Sequence, residues 1–241
     1  QGHAPSGYFG LDENALEAPL MAWWQEASDQ PRFAFVLTSM SHHPYQMPGQ
    51  PTGTDADAFG NYHDTLRYTD ALIGRLLTRL KDTGALANTI VIITGDHGEG
   101  FGEHRVRQHD AVPYEEGIHV PLLVHDGRQK LAVGPDKELR QHIDLAPTIL
   151  RLADISHDGR YPGIDLMNDS GHQQVITNCW YSNWCMSLIS ANRKWIYFPE
   201  YGRTMAFSLD SDPGEQRDVS ASLAPHDNAA AIGTLPSKKS V

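Results

Sequence analysis

Apolar residues recur along this chain in two rhythms, and the rhythm changes once. Between residues 61 and 82, Tyr62, Leu66, Ile73, Leu76, Leu77 and Leu80 follow helical spacing, and Gly84 comes next as a stop signal. A helix is predicted there. A second is predicted from Asp12 through LDENALEAPLMAWWQEA, with Leu16, Leu20, Trp23 and Trp24 toward one face as core residues and a kink at Pro19. A third begins near Asp144, which can cap it, and turns Ile149, Leu150 and Leu152 inward. Short apolar runs rich in β-branched and aromatic residues predict buried strands over residues 32–39 (RFAFVLTS), 89–94 (TIVIIT) and 119–125 (HVPLLVH). The uninterrupted run at 89–94 marks a central strand covered on both faces. Helices alternating with buried strands are the order of an α/β protein with a largely parallel sheet sandwiched by helices.

After Gly163 the rhythm shortens to QVITNCW, MSLISA, KWIYFP and MAFSLD, with no long helix among them. A small C-terminal antiparallel sheet is predicted. From Ser220 onward, small and polar residues lacking apolar periodicity predict a loosely ordered tail. The divisions are therefore an α/β core over residues 1–160, an antiparallel subdomain over 161–220 and a tail over 221–241. At about 150 residues per domain, 241 residues suit one large domain with a small annex.

Composition narrows the function classes. Lys plus Arg number 19 against 30 Asp plus Glu, a net charge of −11, so the clustered basic surface that nucleic acid requires is missing. No apolar run approaches the ~20 residues of a membrane span. Thirteen His against two Cys point away from disulfide scaffolds and cysteine-rich zinc modules, and toward imidazole used for metal binding, proton transfer or substrate contact. Cys179 and Cys185, in CWYSNWC, suit either a local disulfide or two buried thiols. The chain opens on Gln1 without a signal-peptide pattern, as a fragment, mature product or trimmed chain would.

The chemistry concentrates in GDHGEGFGEH. Asp96, His97, Glu99, Glu103 and His104 follow a buried strand directly, interleaved with glycines that let the backbone turn tightly and bring neighbouring side chains to one side. A carboxylate beside an imidazole suits Zn, Mn or Mg-like ions, and the C-terminal edge of a parallel sheet is the expected ligand crevice. A phosphate-cradling loop is excluded, because Glu103 stands where a dinucleotide fingerprint needs its third glycine and no P-loop Lys follows. Neither a G-x-S-x-G elbow nor an H-E-x-x-H helix occurs.

NTIVIITGDHGEGFGEH, then YEEGIHVPLLVH, then HIDLAPTILRLADI resemble the C-terminal half of the sulfatase branch of the alkaline phosphatase superfamily. RFAFVLTSMSHHPYQMP and NYHDTLRYTDALIGRLLTRLKDTGAL resemble the segments that precede it, and FSLDSDPGEQRDV its closing motif. SHHPY and GYFGLDENAL lean toward membrane-associated members similar to lipoteichoic acid synthases. The resemblance implies an alkaline phosphatase-like fold and one catalytic divalent ion, Mn, Ca, Mg or Zn, held by Asp96 and His97. It implies catalytic and substrate contacts from His42, at the His of an H-x-P loop, and from His109, where sulfatases often have Lys and phosphate-handling relatives a His. It also implies extracytoplasmic or periplasmic localisation, anchored through a region before Gln1.

That family's nucleophile and first acidic ligands belong to a strand upstream of everything here, and neither Cys179 nor Cys185 stands in the nucleophile's context. The expectation is a portion lacking its N-terminal half, inactive alone, from a hydrolase of small-molecule, lipid or glycan sulfate or phosphate esters. Two alternatives stand beside it: a phosphoglycerol or phosphoethanolamine transferase of the same superfamily, and a sulfatase-fold binding module without catalysis. Of the remaining residues, His104 suits a second layer around the metal or a structural role, and Glu99 could orient His97 or bind water. Glu115 and Glu116 read as caps or hydrogen-bonding partners of the loop, and His63, His119, His125, His142 and His172 as structural or surface residues.

Overall fold

The computed structural model describes residues 5–6, 10–26, 30–50, 57–109, 113–128, 131, 134–167, 170–179 and 185–235. The closing SKKSV, Trp180 of the QVITNCW run and parts of the opening GYFG lie outside these residues. The chain divides into two compact units, one of residues 1–89 with 126–128, the other of 90–125 with 129–241.

In the first unit, β1 (Pro5–Ser6) pairs antiparallel with β2 (Gly10–Leu11). Asp12 then caps a 3-10 turn, Glu13–Leu16, by accepting from Asn14 N at 2.9 Å, and α1 (Glu17–Gln25) continues from it. Pro19 is the third residue of α1, inside the first turn where a missing N–H costs little, so it is tolerated there. The predicted helix is present as α2 (Ala58–Asp82), but it buries Thr65, Leu72 and Leu80: of the apolar positions that predicted it only Leu80 is buried, Tyr62, Ile73, Leu76 and Leu77 are half-buried, and Leu66 stays 40% exposed. Gly84 ends it in the left-handed region at φ +76°, donating to Lys81 O. α1 and α2 are joined by Glu17, whose carboxylate meets Arg75 at 2.8 Å and Arg79 at 2.7 Å. The Arg75 hydrogen bond holds the Glu17 carboxyl below its ordinary value.

Residues 31–39 depart from expectation. Instead of a buried strand they run without strand pairing, and Phe33, Phe35 and Leu37 are 71%, 79% and 67% exposed. A strand exists through its ladder, and among the described residues no partner strand lies against this segment.

In the second unit, β3 (Ile90–Thr94) pairs with β6 (Leu122–Asp126), all of which but Asp126 belongs to this unit. β3 is half-buried rather than covered on both faces, and Leu123 of β6 is 60% exposed. Between them, β4 (Gly100–Phe101) and β5 (Arg107–Gln108) form a short antiparallel hairpin, followed by the single-turn α3 (Glu115–Ile118). A 3-10 turn, His142–Asp144, leads into α4 (Leu145–Leu152). Asp144 is fully buried and accepts from Gln141 N at 2.8 Å, Ile164 N at 2.9 Å and His172 Nε2 at 2.8 Å. α4 buries Pro147, Thr148 and Leu152, while Ile149 and Leu150 are only half-buried.

The predicted antiparallel sheet is present as β7 (Gln174–Asn178), β8 (Met186–Ser190), β9 (Arg193–Phe198) and β10 (Arg203–Ser208), each paired with its sequence neighbour. Alternation along β9 assigns its two faces. Ile196 and Phe198 pack with Cys179, Cys185, Phe207 and Tyr114, while Trp195 and Tyr197 pack with Met186 and Leu188. A disulfide joins Cys179 to Cys185, which resolves the two readings of that pair. The expected loose tail is instead a helix, α5 (Pro225–Thr234), and Ala231 and Leu235 close over Met186 and Leu188. Its alanine-rich face carries too little apolar contrast to show as a periodic stripe.

Candidate functional site

β3 ends at Thr94 and delivers Gly95, Asp96 and His97. The carboxylate of Asp96 folds back to accept His97 N at 3.0 Å, and Gly95 O accepts from His142 Nε2 at 2.9 Å. His142 read as an ordinary structural histidine, but it fastens the peptide immediately before the Asp-His pair. His97 Nδ1 meets Gly98 O at 2.7 Å. A carbonyl can only accept, so Nδ1 carries the proton and the neutral ring keeps its lone pair on Nε2. That atom is 3.6 Å from Asp96 Oδ2, and the side chains of His97 and Asp96 are 40% and 75% exposed.

The β4–β5 hairpin brings in the third residue. Its register pairs Gly100 with Gln108, so the residues just outside the ladder, Glu99 and His109, face each other. His109 Nδ1 is 3.3 Å from Glu99 Oε1, with the Glu99 side chain 4% exposed and that of His109 22%. The His109 ring stacks on His97 with centroids 4.0 Å apart and planes at 26°. Asp96, His97 and His109, selected from the sequence, are therefore neighbours. Glu99 acts on His109, whereas the linear sequence suggested His97 as the ring it orients.

His42 lies in the first unit. Its Nδ1 meets His43 O at 2.8 Å, inside a tight turn in which His42 N donates to Ser39 O and Tyr45 N to His42 O. The turn is anchored by Glu13, a buried residue that the sequence did not single out, whose Oε1 accepts from both Ser39 N and Met40 N at 2.5 Å. Thr69 Oγ1 donates to its other oxygen at 2.9 Å. Tyr68 beside it donates to Asp12 at 2.7 Å, and burial together with that bond pushes its phenol up to about 12.

His104 ends between two acceptors, Glu116 Oε1 at 2.7 Å from Nδ1 and Glu215 O at 3.1 Å from Nε2, and stacks on Tyr114 at 3.7 Å. Its place is under the hairpin, against the closing motif. Glu116 meets it as the expected hydrogen-bonding partner of the loop.

Among the described residues, no three His, Cys, Asp or Glu side chains converge as a complete ligand set for a metal ion. Asp96 and His97 nevertheless suit a divalent cation as a half set, since a carboxylate oxygen and an unprotonated imidazole nitrogen, both solvent-accessible, approach within 3.6 Å. No helix among the described residues is long and apolar enough to cross a membrane.

Residues 4–155, which hold His42, Asp96, His97 and His109, match the family model "Sulfatase". Arylsulfatase K of Xenopus laevis is 29% identical over 184 residues, 67% of this chain and 33% of the relative. An arylsulfatase of Clostridium perfringens is 27% identical over 164 residues, 64% of this chain and 34% of the relative. The chain thus spans about a third of the length of the curated relatives it matches. Among solved structures, an alkaline phosphatase superfamily protein from Vibrio parahaemolyticus superposes with TM-score 0.68 at 19% identity, covering 97% of this chain and 56% of that one. A protein in complex with its substrate D-glucosamine-2-N,6-O-disulfate gives TM-score 0.63 at 22% identity, covering 72% and 38%. The fold is that of the alkaline phosphatase superfamily, and the chain belongs to the sulfatase family.

Proposed function

We propose that the full-length protein hydrolyses sulfate esters, and that this chain contributes one wall of the catalytic site. The observation that carries the reading is the stacked His97–His109 pair at the end of β3, with Asp96 beside one ring and Glu99 under the other. It falls within the stretch matched by the family model. A sulfate ester under attack gains negative charge on its oxygens, and a group catalyses by meeting that charge in a fixed position. Glu99 accepts the Nδ1–H of His109, so Nε2 is the ring atom left to face the ester, and in the imidazolium form its N–H donates to an ester oxygen or passes its proton to the leaving oxygen. Stacking on His97 limits rotation of both rings. Asp96 and His97 would hold a divalent cation, which when bound supplies positive charge to ester oxygens. His42, on the other unit, is proposed as a substrate contact in its own right, its ring fixed through Nδ1 to His43 O.

The substrate is an aryl or sugar sulfate, as the named relatives and the sulfated-sugar complex suggest. The test is turnover of an aryl sulfate, a phosphate monoester and a phosphodiester by the full-length protein with divalent metals supplied. Sulfate-ester hydrolysis that falls at least about 100-fold in Asp96→Ala and His109→Ala is expected. Preference for either phosphate ester would transfer the site to phosphoryl chemistry, and no turnover of any would leave a binding module.

A further inference from the structure

We infer that Lys194, through Glu115 and Glu215, is a positioning residue for the Asp96–His97–His109 cluster, so that the C-terminal sheet sets the geometry of a site on which it places no reacting group. The function of that cluster rests on the reading above; the mechanical link does not.

Lys194 belongs to β9 on the same face as Ile196 and Phe198, a face directed at Tyr114 and Phe207. Its residue exposure is 0%, and its ammonium lies 3.0 Å from Glu115 Oε1 and 2.9 Å from Glu215 Oε1. Glu215 Oε2 accepts from Glu115 N at 2.6 Å, at the first residue of α3. Glu115 is also held on its outer side by His119 at 3.0 Å. One cation from the sheet and one carboxylate from the closing motif therefore grip the single-turn helix from below. Four residues cannot maintain a helix by their own hydrogen bonds, so α3 takes its position from these contacts.

The upper side of α3 meets the site. Gly98 N donates to Gly117 O at 2.9 Å, and a Cβ on Gly98 would lie 1.9 Å from Glu116 O. Gly98 stands between His97 and Glu99, and its carbonyl fixes the His97 ring. A shift of α3 thus moves the peptide that orients both His97 and the partner of His109. A parallel connection runs through His104, which joins Glu116 of α3 to Glu215 O under the hairpin leading to His109.

Stability alone does not account for the triad. A buried ion cluster replaced whole by apolar residues is often as stable or more so, and the surroundings here, Tyr114, Ile196 and Phe207, are already apolar. What charges add in such a place is a unique geometry. Glu215 keeps it at a left-handed φ of +51°, which a non-glycine residue holds only where its surroundings enforce it.

The test uses the full chain with 15N- and 13C-labelled histidine. Lys194→Met is expected to keep the dispersed amide spectrum of β7–β10 while displacing the ring resonances of His97 and His109, and Lys194→Arg to return them toward their original positions. In the full-length protein, Lys194→Met should lower kcat at least about tenfold with KM changed less than about twofold. Glu215→Gln, which keeps shape and removes one charge, should displace the same rings. Ring resonances unmoved in folded Lys194→Met or Glu215→Gln protein would overturn the inference, as would unfolding of both variants, which would make the triad a folding element only. Because the ring signals need no turnover, absence of sulfatase activity would strike the proposed function and leave this inference standing.

Discussion

Three hydrogen bonds converge on the carboxylate of Glu13, from Ser39 N, Met40 N and Thr69 Oγ1. Removing a buried acceptor leaves its donors unsatisfied, which costs more than the net value of the bonds themselves. Glu13→Ala should therefore lose about 1–3 kcal/mol of stability in urea unfolding, and Glu13→Gln, which keeps one acceptor oxygen, clearly less. Equal losses would mean that the charge, not the hydrogen-bond count, secures the turn bearing His42. In the closing motif, protonation acts in two directions. The N–H groups of Gln216 and Arg217 hold Asp212 below its ordinary 3.8. Burial raises Asp218, but the Ser220 N–H and hydroxyl, Ala206 N–H and Arg203 together outweigh it and leave it lowered. For such groups the stabilisation is present above 3.8 and is lost as pH falls through the lowered folded value. Glu215 is the reverse: burial raises it above 4.5 despite Lys194, so its contribution weakens as pH rises from 4.5 through the raised value. Asp212→Asn should flatten the acid limb of stability below about pH 4 and leave the neutral side sloping as before. An unchanged acid limb in urea midpoints would remove Asp212 from the account.

Short elements hold the site, and here the limits of what the sequence displays are sharpest. The 25-residue α2 and the four C-terminal strands were readable because an apolar period persists through each. Asp96 and His97 were readable because glycines flank them at the end of an apolar run. The meeting of Glu99 with His109 was not, because it depends on a hairpin of two-residue strands with no apolar alternation to set its register. Nor was α5, whose small residues weaken its pattern. Lys194 was partly legible, since β9 places it in phase with Ile196 and Phe198; its ion partners come from segments distant in sequence. Gly98 shows how closely such pieces fit. Gly98→Ala would force a methyl group against the Glu116 carbonyl at 1.9 Å, and a loss of about 1–3 kcal/mol with displaced His97 signals is expected. A variant as stable as the parent would show that α3 yields more easily than its contacts imply. Segment 31–39 carries the opposite risk. Phe33, Phe35 and Leu37 stand 71%, 79% and 67% exposed on backbone without strand pairing, which favours association through apolar contact. The isolated chain should bind a hydrophobic dye and associate with concentration, and a Phe33→Asp, Phe35→Asp double variant should do both less. A monomer without dye binding would refute this.

At the scale of the whole chain, two units with unequal cores imply unequal resistance to opening. In the first unit the buried apolar residues among those described are Met21, Met40, Tyr45, Leu72 and Leu80, spread over two helices and a loop. The second unit buries Ile196, Ala206 and Phe207 completely, on adjacent paired strands, with the Cys179–Cys185 disulfide at one edge and α5 over the other face. Local opening follows the density of buried contact, so amides of β8, β9 and β10 should exchange last and those of α2 substantially earlier. The disulfide supplies an independent lever, because it closes a loop with a sequence separation of 6. A cross-link of that length constrains the unfolded chain by roughly 2 kcal/mol. Adding a reductant should therefore lower the protection of the Ile196 and Phe207 amides by roughly that amount while leaving the Leu72 amide unchanged. The comparison separates two architectures. If the protection of α2 falls in parallel with that of β9, the units open as one cooperative body; if it does not, the part of the chain bearing His42 and the part bearing His97 and His109 hold their structure on separate terms.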